Sequence, residues 1–285
     1  MNISGRKTHN NIFKSLRIFL LCCVTFFSLF PFLWMIFSSL KLPEDLYKIP
    51  IIWLPKVINW RSYIEIIDLI PIFRFGLNTI IVAVSTALIT SLISTMGGYA
   101  LARFKFKGLI FLILALMISY MLPGVVLLIP FYFMLLKLGL NNSLLGLIIV
   151  YGVFTIPFGT LLMRNYIESA YPKELEESAN IDGANPYQVF FRITIPLSAP
   201  GISAVALFAF IVSWNEFMYA SILISEKNLR TIQTGLFFFF GRGDMPVKFN
   251  VALAAGTVIV IPVMIAAFYI QRYMVTGLTL GATKG

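Results

Sequence analysis

The chain has 285 residues, of which 59% are hydrophobic and 12% charged, with a mean hydropathy of +0.89 and a formal net charge of +10. Soluble domains carry about 25% charged residues, so the composition excludes a soluble globular domain and reads as an integral membrane protein. Basic residues are not interleaved with aromatic ones in a nucleic-acid-binding pattern, so the positive excess bears on topology and anionic headgroups instead.

Residues 1–17 form a polar tail carrying Arg6, Lys7, Lys14 and Arg17, and an apolar run over 18–39 follows. A basic start before an apolar run resembles a signal peptide, but this run is too long and lacks an A-x-A cleavage site. It is read as a retained first span. Cys22 and Cys23 are adjacent inside it, which excludes a disulfide framework or a zinc site. A spanning helix needs roughly 20 apolar residues. Five further runs meet that length, at 77–101, 109–136, 143–163, 199–224 and 251–271. The prediction is an all-α membrane protein with six transmembrane helices: an outer loop at 40–76, a core over 77–271 and a tail over 272–285. Pro123-Gly124 and Pro130 predict a kink in the third run, because proline removes a backbone hydrogen bond and clashes with the preceding turn. Pro31, Pro157 and Pro262 bend other spans to fit a bundle.

Short loops weigh most in setting orientation. The link after the second run carries Arg103, Lys105 and Lys107, whereas the link after the third carries only Lys137. Together with the basic N-terminal tail, this places both termini in the cytoplasm and makes 225–250 a second large outer loop. The polar stretch 172–197 then also falls on the cytoplasmic side.

That stretch reads as two short helices. Pro172 suits a first helical position, and Glu174, Glu176 and Glu177 favour the positive end of a helix. Leu175, Ser178 and Ala179 share one face. Gly183 sits where a left-handed C-cap is needed. Asn185, Pro186 and Gln188 then supply an N-cap, a first residue and a capping-box partner, and Pro196 bounds the segment before the next span.

The spacing carries a resemblance. Glu177, Ala179 and Gly183, followed after nine residues by Ile193 and then Pro196, resemble the EAA motif, E-A-A-x3-G-x9-I-x-L-P, of ABC-importer permeases. ESANIDGA, with Asp182 and Ala184, is similar to the EAAxxDGA form of the carbohydrate branch. Ser178 and Ile195 depart from that pattern by small changes in size. GYALARFKFKG (98–108), WNEF (214–217) and QRYMVTGLTLGATKG (271–285) extend the resemblance to the maltose-type sugar permeases over nearly the whole chain.

The resemblance implies a type I importer permease fold. It also implies that Leu175, Glu177, Ser178, Ala179, Asp182, Gly183, Ala184, Ile193 and Pro196 dock a coupling helix onto a cytoplasmic ATPase subunit. The implied partners are a second, homologous permease, two ATPase subunits and an extracytoplasmic solute-binding protein, with a sugar, polyol or glycerophosphate as substrate. No G-x4-G-K-[ST] loop occurs, so no catalytic residue, metal or cofactor is assigned to this chain, and Mg-ATP is expected on the ATPase. Within 225–250, Gly241, Gly243 and Pro246 suggest an outward turn. By resemblance, Arg242, Gly243 and Asp244 reach toward the binding protein; the alternative is a lid packed over the bundle.

Trp214, Asn215, Glu216 and Tyr219 are candidate lining of the substrate pathway. Treated as one helix ending at Ser225, the fifth span puts Glu216 roughly 13 Å below its outer end. A carboxylate there costs on the order of 2.5–3.5 kcal/mol unless it faces water or a partner. It therefore faces the interior, either accepting from sugar hydroxyls or tying the span to a neighbour. Trp214 and Tyr219, five apart, share no single helical face. A secondary transporter is disfavoured by the lack of an internal repeat, with Glu216 the one charge well inside a span. An intramembrane enzyme is disfavoured because the sole histidine, His9, lies in the tail.

Overall fold

The computed structural model describes residues 3–241 and 248–282, and the side-chain surroundings of 14–241 and 248–269. Among the described residues the regular structure is helical, with no strand. Four helices are long and apolar enough to cross a membrane, at Lys14–Ser39, Ile72–Arg103, Leu144–Ala170 and Phe249–Tyr269; two bent pairs raise the number to six. The chain divides into two units, residues 1–69 with 242–260 and residues 70–241 with 261–285.

In the first unit, α1 (Ile3–Ser39) ends beside an aromatic group in which Trp34 meets Trp53 edge-on at 5.2 Å. The Lys41 ammonium lies 4.1 Å over the Trp34 ring, and burial pulls its pKa down. The 40–76 segment is partly helical. A 3₁₀ turn occupies Pro43–Asp45 and α2 spans Arg61–Leu69. Here Ser62 accepts a hydrogen bond from Asn250 at 2.8 Å, and Lys248 pairs with Glu65 at 3.0 Å.

The second unit is built on α3 (Ile72–Arg103), α6 (Leu144–Ala170) and α10 (Ala199–Asn215). Lipid tails are as apolar as leucine, so close packing and hydrogen bonding hold such helices together. Both appear here. A Cβ on Gly98 would meet Met163 Cβ at 2.6 Å and the Arg164 amide nitrogen at 2.8 Å, so glycine is what allows α3 to cross α6 this closely. Gly201 lies equally close to the Tyr166 ring, and buried Thr90 and Thr155 share a 2.7 Å hydrogen bond.

The third apolar run is broken where proline predicts. Helices α4 (Leu109–Met121) and α5 (Gly124–Lys137) meet at 96° around extended Leu122 and Pro123. The fifth run departs from expectation. It is not one helix over 199–224: α10 stops at Asn215, Glu216 is extended, and α11 (Met218–Leu223) starts anew. The 13 Å depth for Glu216 therefore does not hold, since it assumed an unbroken helix. A second bend, of 73°, separates Pro186–Leu197 from α10 at Ser198.

Residues 225–241 pack on α3. The Asn78 amide donates to the carbonyls of Asn228 and Arg230, and the Ile232 amide donates to Thr79. Gly235, in α12 (Ile232–Phe240), lies against the Phe75 ring with no room for a Cβ. This part of the loop lies against α3 through these contacts. The final helix, α13, covers Phe249–Ala282. Arg242, Gly243 and Asp244 lie outside the described residues, so the proposed contact loop has no structural account.

Candidate functional site

The polar stretch forms α7 (Glu174–Ile181) and α8 (Pro186–Val189), then a π-helical turn over Phe190–Thr194 and α9 (Ile195–Leu197). Helix α7 starts at Glu174 rather than Pro172, because the Leu175 and Glu176 amides reach only three residues back, to Pro172 and Lys173. Its three first-turn carboxylates offset the absence of a side-chain cap. At the other end Gly183 has φ +88°, with the Gly183 amide on the Asn180 carbonyl and the Ala184 amide on that of Ala179. These two bonds make a Schellman cap, which needs the left-handed residue that glycine supplies most cheaply. Asn185 and Gln188 close a capping box through two 2.9 Å bonds. Pro196 has no N–H to give, and the turn before it widens so that the Ile195 amide reaches the Phe190 carbonyl.

The burial of α7 is inverted. An amphipathic helix hides its apolar face, yet Glu176 is the one residue of α7 that is buried, whereas Leu175 is exposed and Ile181 is 86% exposed. Leu175, Glu177 and Ser178 lie open, with Ala179 and Ala184 half-buried, and Asp182 is exposed beside Gly183. Tyr187, in α8, and Phe191, just after it, are exposed as well. Glu177 pairs with Lys173, just before the helix, at 3.0 Å. Ile193 is half-buried and Pro196 exposed.

Glu176 turns inward onto the end of α3. Its carboxylate accepts from Arg103 Nε at 2.7 Å and from the Tyr99 hydroxyl at 3.2 Å, with both charged side chains 7% exposed. The same guanidinium donates to the carbonyls of Ile167 and Tyr171 at the end of α6, and stacks 4.6 Å over the Tyr171 ring. Burial raises the pKa of Tyr171, whose hydroxyl donates to Thr194 at 3.0 Å. Beside this network lies a cleft of about 280 Å³ between α7 and the end of α3, bordered by Phe104 and Asn180. Sequence reasoning counted Arg103 only as a topological charge and Glu176 only as a first-turn carboxylate. The usable signal was the tyrosine and arginine of GYALAR, one helical turn apart at the polar end of a span.

The second cluster lies at the break in the fifth run. Glu216 accepts from the backbone amides of Tyr219 and Ala220 at 2.8 and 3.1 Å, and from the Tyr151 hydroxyl. It thereby caps α11, which has no other side-chain cap. The Tyr219 hydroxyl donates to the Gly124 carbonyl, so the break at Glu216 is tied to the bend at Pro123. Trp214 is 1% exposed and stacks on Phe210, and its carbonyl accepts from Gln233 of α12. Asn215 is exposed and bonds back to the Ile211 carbonyl. Half-buried Glu216 thus turns onto buried Tyr151 of α6. Trp214 and Tyr219 are both buried despite their spacing, because the helix breaks between them.

Residues 94–279 match the family of binding-protein-dependent transport system inner membrane components. The chain is 34% identical over 274 residues to the sulfoquinovosyl glycerol transport system permease protein SmoH of Agrobacterium fabrum, spanning 95% of this chain and 94% of that one. It is 33% identical over 261 residues to the trehalose/maltose transport system permease protein MalG of Thermococcus litoralis, covering 90% and 92%. Among solved structures it resembles a subunit of a bacterial ABC transporter involved in the import of the acidic polysaccharide alginate. That likeness has a TM-score of 0.78 at 25% identity, over 93% of this chain and 97% of that one. The fold is that of a type I importer permease. The capped polar loop, the broken spans and these similarities place the chain in the family of binding-protein-dependent transport system inner membrane components.

Proposed function

We propose that the chain is one membrane subunit of an ATP-driven sugar importer, forming the translocation pathway with a second permease. Its loop 174–197 docks on a separate ATPase chain, which binds and hydrolyses Mg-ATP. An extracytoplasmic binding protein delivers the sugar, and both termini of this chain lie in the cytoplasm. The inverted burial of α7 carries this reading. A helix outside the spans that exposes Leu175 and Ile181, with Tyr187 and Phe191 alongside, presents apolar surface of the kind that marks a protein interface. The permease names of SmoH and MalG support a carbohydrate or glycoside as the substrate class.

Closure of the ATPase pair on ATP would draw the docked helices together and open the pathway outward. Glu177, exposed on α7, is the carboxylate offered to the partner. The test uses the purified complex in liposomes. Glu177→Lys is expected to insert normally and to lose both ATPase retention and stimulation by loaded binding protein; normal retention and stimulation would refute the docking reading. A panel of sugars presented with the binding protein tests the substrate class, and uptake of none of them would refute it.

A further inference from the structure

The inverted burial of α7 has a mechanical side. Its single buried residue is a carboxylate, and a cleft lined in part by Glu176 and Glu177 lies between the helix and the end of α3. The Glu176–Arg103 ion pair, with Tyr99 as a second donor, ties the helix to the end of α3. Arg103 in turn grips the last turn of α6 through two carbonyls, and Tyr171 passes the connection to Thr194, at the approach to α10.

We propose that Glu176 and Arg103 form a rigid strut that makes α7 move as one body with the inner ends of α3 and α6. This rests on the docking reading of the 174–197 loop. A displacement imposed on the outer face of α7 then reaches the bundle through a charge-assisted hydrogen bond, which holds direction better than apolar contact because its geometry is specific. Glu176 and Arg103 are positioning residues and do not touch the ATPase. The Glu177 side chain is 57% exposed and that of Glu176 7%, so two adjacent carboxylates divide contact from transmission.

The assembled importer in liposomes separates these roles. Glu176→Gln keeps the side-chain shape and an acceptor for Tyr99. It is expected to retain the ATPase subunit and basal hydrolysis while sugar transported per ATP falls about fivefold or more, the lower end of typical coupling between sites. Arg103→Lys keeps the charge without the fork and is expected to lose coupling likewise. ATPase retention lost in Glu176→Gln to the extent seen in Glu177→Lys would make Glu176 a docking residue and overturn the strut. Unchanged transport per ATP would overturn it too.

A second measurement holds even where the glutamine variant assembles poorly. In a background with Cys22→Ser and Cys23→Ser, the pair Arg103→Cys and Glu176→Cys is bridged with a short bis-maleimide. Bridging is expected to restore transport per ATP toward wild type, since it replaces one rigid link by another. If bridging abolishes transport, α7 must move against α3, and the proposal falls. Normal ATPase retention and stimulation in Glu177→Lys would instead remove the docking reading, and the strut with it.

Discussion

Two carboxylates of the second unit, Glu176 and Glu216, are held in opposite ways. Glu176 meets a full positive charge, Arg103, at the end of a span. Glu216 sits within the fifth apolar run and is held by neutral donors, namely two backbone amides at the start of α11 and the Tyr151 hydroxyl. The two contact α6 at Tyr151 and, through Arg103, at Ile167, positions about 24 Å apart along the helix at about 1.5 Å per residue. Glu216 holds together a break within one run and binds it to its neighbour, a structural arrangement. Glu176 joins an otherwise loosely packed surface helix to the core, an arrangement suited to passing on movement. The sugar-acceptor alternative for Glu216 finds its oxygens already engaged by protein donors, so the structural role is the one we propose.

Glu216→Ala is expected to have the largest effect. It strands two backbone amides and a phenol, at about 1–3 kcal/mol for each buried donor left unpaired. Thermal unfolding of the purified complex should show a marked loss of stability or failed assembly, whereas wild-type melting would erase the contrast with Glu176. Tyr151→Phe removes one donor and leaves the amides satisfied. A loss of about 1.5–3 kcal/mol, the usual range for a hydrogen bond to a charged group, is expected in the same assay. Unchanged sugar preference in liposome uptake would separate this structural part from a substrate-binding one.

Gly183→Val tests the other side of the comparison. A Cβ there meets nothing within 4 Å, so the cost is conformational, about 1–2 kcal/mol for a left-handed residue. That cost falls on the α7 cap and leaves the core alone. Melting of the complex core should stay near wild type while stimulation by loaded binding protein is lost, and a core-wide drop in melting would contradict the separation. Ser178→Ala is expected to do least. The Ser178 hydroxyl only bonds back to the Glu174 carbonyl within α7, so the change should stay within about ±0.5 kcal/mol and leave coupling intact. A large loss of uptake would mean that the hydroxyl itself contacts a partner.

Much of the polar loop 172–197 was legible because its signals are local. Gly183, Asn185, Pro186 and Gln188 act over three or four residues of backbone, and the structure has the left-handed turn and the capping box where the sequence put them. The bend at Pro123 was legible for the same reason. The break at Glu216 was not, since no proline or glycine marks WNEF; the carboxylate that caps α11 looks, in sequence, like a charge inside a continuous span. The packing of 225–241 on α3 was not legible, because its anchors, Asn78 and Thr79, lie about 150 residues away in the chain.

The sequence by itself determined the membrane class, the apolar runs and the capped helix pair, because hydropathy and capping depend on neighbours along the chain. Tertiary structure alone decided which carboxylate serves which purpose. Glu176 and Glu177 are adjacent and chemically identical, and only the crossing of α3 over α6 at Gly98 brings Arg103 within reach of one of them. Ion pairing acts over a few ångströms of space, and no spacing along the chain encodes it.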